Sequence, residues 1–380
     1  MKTTHRKTTI AAVLIVALAA SAAPLRFEEV PVPNANGNFA AVAAGDVDKD
    51  GYAEILSGRR EKQQGLFLFS YDGSQWTRRS VAETGQYGGV ALADVTGDGT
   101  LDVLAVRNAF EDRTKGLMIF RTKLSDGRPG FTALTSPFTE KACDDLAVGD
   151  VEGDGDIDIA LATGGAGVKV LLNAGKAASF RTLSLETDTY EDTAVMLDDI
   201  NADARLDMVV TNHPGKPPRI FLCSRSGTVS YSTRHTEALK ITDTIGYKPA
   251  AADFDRDGRT DLAVGTQAGL RVFLGNGCTA AQSQWWKEIP LNRPGSGTMQ
   301  VAAGDIDGDG DVDITTSSTS GILVFLNDGS GALVRSSIDG LPEKGEYSGC
   351  CVFDWEGDGD LDIACSSFQG LGLRFFENIR

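Results

Sequence analysis

Histidine is nearly missing from this 380-residue chain, which has only 3. His5 lies near the start, so a histidine-based metal or catalytic centre would have only His213 and His235 to draw on. The 6 cysteines form no CxxC and no CxxCH pattern, which argues against zinc knuckles, thioredoxin-like chemistry and covalent haem. No Asn-x-Ser/Thr acceptor occurs. No G-x-S-x-G, H-E-x-x-H, P-loop or dinucleotide fingerprint is found in the strand and helix context that gives such motifs their chemistry. Positive charge is also short, with 36 Lys+Arg against 53 Asp+Glu and a net charge of −17. That balance excludes a general nucleic-acid-binding surface. Helical periodicity is absent from every window of useful length. Apolar residues still make up 41% of the chain, enough to bury a core.

The apolar run Ile10–Ala20 is about half of the roughly 20 residues a membrane span needs. Lys2, Arg6 and Lys7 precede it, and Ala20, Ser21 and Ala22 offer a small-x-small exit. Residues 1–22 therefore read as a secretory signal peptide. No cysteine follows the exit, so a lipid anchor is not expected, and no later stretch is apolar enough to cross a bilayer. The expected location is secreted, periplasmic or cell-surface, with residues 23–380 forming one domain.

One block recurs seven times. It is an apolar stretch, then D-x-[DNTE]-x-D-[GA]-x-x-[DE], then another apolar stretch. First positions fall at Asp46, Asp94, Asp150, Asp199, Asp253, Asp305 and Asp354, spaced 48 to 56 residues apart. Such a period marks a solenoid or a propeller. Each unit reads as four strands: a small apolar one, one after the acidic loop, one that tends to follow glycine, and an aromatic-led, half-exposed one. The predicted fold is all-β, a seven-bladed β-propeller of four-stranded blades. The chain stops after the third strand of the last unit, and Leu25–Val32 looks like the fourth. An N-terminal strand donated to the last blade would close the ring and cover both free edges.

Carboxylates at positions 1, 3, 5 and 9 of the loop surround one point with oxygen. Hard oxygen donors in a flexible loop suit Ca²⁺, which takes 6–8 of them. The candidate ligands are Asp46, Asp48, Asp50 and Glu54; Asp94, Thr96, Asp98 and Asp102; Asp150, Glu152, Asp154 and Asp158; and Asp199, Asn201, Asp203 and Asp207. The later loops add Asp253, Asp255, Asp257 and Asp261; Asp305, Asp307, Asp309 and Asp313; and Asp354, Glu356, Asp358 and Asp362. Up to seven Ca²⁺ are expected. Ala204 replaces the turn glycine in the fourth loop, which makes that loop the weakest. An EF-hand would need glutamate at position 12 and flanking helices. Position 12 is Ser57, Ala105, Leu161, Val210, Val264, Thr316 or Cys365, so the EF-hand is rejected. The seven loops hold 29 of the 53 acidic residues, so metal accounts for most of the acidity.

Residues 301–314 (VAAGDIDGDGDVDI) and 321–331 (GILVFLNDGSG) resemble the FG-GAP/VCBS repeats of seven-bladed propellers, including the head of integrin α-subunits. The resemblance covers the whole mature chain. It implies Ca²⁺ in the loop between the first two strands of a blade. It is weak for function, because such propellers serve as adhesion modules, lectins, parts of secreted enzymes and scaffolds.

The expected role is that of a binding module for an extracellular protein or glycan, without enzymatic activity. The alternatives are a polysaccharide lyase or hydrolase and a purely structural scaffold. Tyr87, Tyr190, Tyr247 and Tyr347 precede their loops by six to nine residues, which places them at the channel mouth opposite the acidic loops as candidate ligand contacts. Asp144 and Asp145 read as a solvated rim. Pairing Asp354 with Asp362 predicts that Cys351 faces Cys365.

Overall fold

The computed structural model describes residues 24–60, 65–107, 116–139, 143–164, 167–185, 192–212, 217–224, 229–233, 239, 241, 247–276, 285–292 and 295–380. The proposed signal segment, Tyr190, His213 and His235 lie outside the described residues. All regular structure among the described residues is β. None of it is a helix long and apolar enough to cross a membrane.

Seven four-stranded antiparallel blades form a β-propeller. Blade 1 comprises Phe39–Gly45, Glu54–Arg59, Leu66–Tyr71 and Trp76–Ala82. Blade 2 comprises Tyr87–Ala93, Asp102–Arg107, Leu117–Ser125 and Arg128–Ala133. Blade 3 comprises Asp145–Gly149, Asp158–Ala162, Val168–Asn173 and Phe180–Leu185. Blade 4 comprises Asp192–Asp198, Asp207–Asn212, Arg219–Ser224 and Ser230–Thr233. Blade 5 comprises Ala250–Ala252, Asp261–Thr266, Gly269–Gly275 and Trp286–Ile289. Blade 6 comprises Thr298–Gly304, Asp313–Ser318, Gly321–Leu326 and Val334–Ser336. Blade 7 comprises Gly349–Phe353, Asp362–Ser366 and Leu373–Asn378, with Phe27–Val30 as its outer strand.

Second strands are buried along all of their length, or all but a final arginine in blades 1 and 2, because a neighbouring blade covers each face. That is why they read as nearly continuous apolar runs. First strands carry small residues for a related reason. A Cβ on Gly149 would lie 2.6 Å from Leu206 Cδ1, and one on Gly304 would lie 2.5 Å from Leu361 Cδ1. In each case a leucine from the next blade's acidic loop fills the space a side chain would occupy.

Phe27–Val30 pairs antiparallel with the third strand of blade 7, Phe27 opposite Asn378 and Val30 opposite Phe375. The Arg374 guanidinium grips Glu29 across this junction, with Nε donating at 2.7 Å. Blade 7 also joins blade 1 directly. Phe39 N–H donates to Ser367 O at 2.8 Å, and Ser366 Oγ donates to Ala40 O at 2.9 Å.

One expectation of register is corrected. Phe353, not Asp354, pairs with Asp362, so Cys365 sits opposite Cys350 and Cys351 opposite Ala364. The same offset recurs in every blade, as in Gly45 opposite Glu54 and Gly304 opposite Asp313. The first aspartate leaves the ladder because its carboxylate turns inward to hold the loop. Among the described residues no disulfide forms. Cys143, Cys223, Cys350 and Cys365 are buried and Cys351 is half-buried. Burial pushes the Cys350 thiol up to about 12, so the thiolate is scarce at neutral pH. Cys278 lies outside the described residues. These five thiols should resist a maleimide reagent in the folded protein and react in denaturant without reductant. Disulfide-linked peptide pairs in mass spectra of the non-reduced protein would contradict this.

Candidate metal centres

The acidic loops share one construction. The carboxylate at position 1 accepts the N–H of position 6, at 2.6 Å for Asp94 and Gly99, 2.8 Å for Asp253 and Gly258, and 2.9 Å for Asp305 and Gly310. The carboxylate at position 5 accepts the N–H of position 7, as in Asp50 with Tyr52 at 2.9 Å and Asp309 with Asp311 at 2.8 Å. These bonds fold eight residues into a closed turn with position 6 in the left-handed region. Glycine is favoured there, as at Gly310 with φ 88°. Ala204 adopts the same conformation with φ 62°, a strained choice for a residue with a Cβ.

Position 9 lies deepest. Asp102, Asp158, Asp207, Asp261 and Asp313 have no exposed surface. Each bridges its own loop to the third strand of its blade. Asp261 accepts Phe254 N–H and Gly275 N–H, both at 2.7 Å. Asp313 accepts Ile306 N–H at 2.9 Å and Asn327 N–H at 2.8 Å. Asp362 accepts Trp355 N–H and Asn378 N–H, both at 2.8 Å. Glu54 is the exception. Its Oε2 takes Val47 N–H at 2.7 Å, and its Oε1 is buried without a partner.

An asparagine that ends or directly follows the third strand extends the clamp to the preceding blade. Asn173 Nδ2 donates to Val95 O at 2.9 Å, Asn327 Nδ2 to Phe254 O at 2.7 Å, and Asn378 Nδ2 to Ile306 O at 3.0 Å. Sequence reasoning missed these residues, although an asparagine closing a third strand recurs at 173, 327 and 378 and was a readable signal.

Three loops gather ligand oxygens closely enough to hold a metal ion. They are Asp46, Asp48 and Asp50; Asp253, Asp255 and Asp261; and Asp305, Asp307 and Asp313. At position 3, Asp48 Oδ1, Asn201 Oδ1 and Glu356 Oε2 are buried with no hydrogen-bond partner. Buried oxygens left without a donor are costly, and a cation is the partner this donor set fits. Basic side chains engage carboxylates in other loops and in two of the three loops that gather oxygens, where Arg259 Nη1 lies 2.7 Å from Asp257 Oδ2 and Arg256 Nε lies 2.5 Å from Asp311 Oδ1. Arg121 Nη2 lies 2.7 Å from Asp98 Oδ2, and Arg181 Nη2 lies 3.5 Å from Glu152 Oε2. Arg205 pairs with Asp203.

A family model described as FG-GAP-like repeat matches residues 46–105, 199–264 and 253–316. Residues 46–105 and 199–316 thus carry FG-GAP-like repeats, within a seven-bladed β-propeller. A comparison with curated proteins found no match. Among solved structures, a lectin of Agrocybe aegerita, titled for specific recognition of non-reducing terminal N-acetylglucosamine, is similar at 19% identity and a TM-score of 0.54. That match covers 78% of this chain and 79% of the lectin. BBS1N in complex with ARL6DN is similar at 10% identity and a TM-score of 0.58, covering 94% of this chain and 98% of that one. At these identities the likeness concerns the fold.

Of the tyrosines expected to line a ligand site, Tyr190 lies outside the described residues, and Tyr87 and Tyr347 are buried. Tyr87 is 1% exposed and Tyr347 is 0% exposed. Tyr87 fills the space left by Gly58, where a Cβ would lie 2.5 Å from Tyr87 Cβ. The Tyr347 hydroxyl accepts Arg374 Nη1–H at 2.7 Å. Both are packing residues between blades. Tyr247 remains half-buried near Phe368, with ring centroids 6.4 Å apart, and the Arg60 guanidinium lies 4.1 Å over the Phe368 ring. Asp145 is buried rather than solvated. It lies 3.3 Å from Lys248 Nζ of blade 5 and accepts Val195 N–H of blade 4 at 3.1 Å.

Burial, before any neighbouring charge, raises the loop carboxylates. Glu54 is pushed up to about 8, Asp207 and Asp362 to about 7, and Asp158, Asp261 and Asp313 to about 6. Between the unfolded value near 4 and these folded values, the metal-free folded protein holds more protons than the unfolded chain. Its stability is therefore fullest below about pH 4 for these groups and falls as pH rises to about 8. In chelator, the melting temperature should drop steadily from pH 5 to pH 8. A metal-free melting temperature that rises over that range would contradict this assignment.

Proposed function

We propose that this protein is an exported, calcium-stiffened recognition module whose ligand is a glycan. The observation that carries the calcium reading is the gathering of ligand oxygens in three loops, at Asp46, Asp48 and Asp50, at Asp253, Asp255 and Asp261, and at Asp305, Asp307 and Asp313. Carboxylate, hydroxyl, amide and carbonyl oxygens are hard ligands, and loops of this length suit Ca²⁺ better than Zn²⁺ or Cu²⁺. Affinity per site is expected on the order of 10⁻⁴–10⁻³ M, as in other extracellular modules.

The recognition reading rests on where the polar chemistry of the frame goes. Position-9 carboxylates are engaged with main-chain N–H groups, and four of the five described thiols are buried. A frame held in this way presents variable loops at fixed positions, the usual arrangement for recognition. The similar fungal lectin supports a sugar ligand by fold analogy. A protein ligand is the second reading, favoured by the 94% of this chain that aligns with BBS1N in its complex with ARL6DN.

Titration calorimetry should give calcium heats for the wild type. Asp305→Ala should remove at least one site, and Asn201→Ala should leave the stoichiometry of the strong sites unchanged. On a glycan array the wild type should bind in calcium and lose binding in chelator. No calcium heat would overturn the metal assignment, and an array blank in both conditions would overturn the glycan assignment.

A further inference from the structure

Blades 1 and 7 meet at a concentration of aromatic rings matched nowhere else among the described residues. Tyr52 occupies position 7 of the first acidic loop, and Trp355 position 2 of the seventh. Tyr71 ends the third strand of blade 1 and Trp76 begins its fourth. Trp76 and Trp355 stack with centroids 5.7 Å apart and an interplanar angle of 7°. Tyr71 lies 5.0 Å from Trp355 and 5.2 Å from Tyr52. Trp355 is 6% exposed, and Phe375 beneath it is fully buried. Packing of the seam accounts for those two rings. Tyr52, Tyr71 and Trp76 pack against the same cluster from outside, and each keeps part of its surface in water.

We infer that Tyr52, Tyr71 and Trp76 form a metal-organised platform for a sugar ring, on the same face as the acidic loops. This rests on the glycan reading above and moves its site away from the face on which the tyrosine spacing had placed it. The face follows from topology. Antiparallel strands put the turn between third and fourth strands on the same side as the loop between first and second.

That turn supplies a polar rim. Residues 72–75 are exposed. Asp72 is held as a carboxylate by Ser74 and Gln75, whose N–H groups donate to Oδ1 at 3.0 and 2.9 Å. The turn also lies against the platform, since a Cβ on Gly73 would sit 3.9 Å from the Tyr52 hydroxyl. A pyranose has one apolar C–H face and a ring of hydroxyls. Half-exposed aromatic rings suit the face, and a fixed carboxylate with neighbouring amide and hydroxyl groups suits the rim.

The platform depends on the metal loops through the main chain. Ala53 N–H donates to Trp355 O at 2.8 Å, tying the first loop to the seventh. Tyr52 N–H is held at 2.9 Å by Asp50, a member of the Asp46, Asp48 and Asp50 group. Emptying that loop frees carboxylates that repel one another and sit directly beside Tyr52.

The test uses the full chain on an array of glycans ending in N-acetylglucosamine, galactose or mannose, with thermal melts run in parallel. Trp76→Ala and Tyr52→Ala should each weaken binding of the best array glycan at least tenfold. Tyr247→Ala, on the opposite face, should bind as the wild type does. Trp76→Phe keeps a ring and should retain most of the affinity while losing the ligand-induced change in tryptophan fluorescence. This variant guards against reading a folding defect as lost contact. If the wild type binds and Tyr52→Ala and Trp76→Ala bind equally well, the platform is wrong and the glycan reading stands. If Tyr247→Ala alone loses binding, the site belongs at the channel mouth and the platform is again wrong. If the wild type binds no glycan, the glycan reading fails and the platform fails with it.

Discussion

The fold depends on a carboxylate that has left the surface. At the ninth position of each loop a buried aspartate, or Glu54 in blade 1, takes up main-chain N–H groups of the loop. In six blades it also takes an N–H of the third strand. A turn of eight residues between two buried strands leaves several main-chain donors without ladder partners. Buried donors left unsatisfied cost about 1–3 kcal/mol each. One carboxylate per blade removes two of them and fixes the angle between loop and sheet. The asparagines at 173, 327 and 378 then carry that geometry to the preceding blade, so local turns become a ring.

The arrangement has an electrostatic consequence. Burying a carboxylate raises its pKa, and the neighbouring aspartates of the same loop add repulsion. Hydrogen bonds from N–H groups offset this only in part. A cation among the outer carboxylates relieves the repulsion without disturbing the buried bonds. Where an arginine already sits against the loop, as Arg121 does at Asp98 and Arg205 at Asp203, a guanidinium supplies part of that relief. The two forms of relief coexist, since Arg259 engages Asp257 and Arg256 engages Asp311 in loops that also gather oxygens for a metal.

Much of this was legible in the sequence because repetition averages out local ambiguity. Seven copies of one pattern settle strand number and order where one copy would not. What escaped was what depends on a neighbour in the next blade. Asp354 looks like the last residue of its strand, and only the demand of Gly357, Asp358 and Gly359 for an acceptor turns it out of the ladder. That one residue shifts Cys365 from Cys351 to Cys350. Tyr87 looks like a surface aromatic until Gly58, in the preceding blade, is seen to leave a slot for it. The aromatic seam joins positions about 300 residues apart, Tyr52 and Trp355, which the spacing within one repeat cannot bring together.

The central claim is that the ninth-position carboxylates are structural clamps shared by the whole ring. Amide hydrogen exchange of the calcium-loaded protein tests it most directly. The account predicts that the amides of Val151, Phe254, Ile306 and Trp355 exchange as slowly as those of the buried second strands, although they lie in loops. The exposed amides of residues 74 and 75 should exchange much faster. Loop amides at 151, 254, 306 and 355 that exchange as fast as those at 74 and 75 would contradict it.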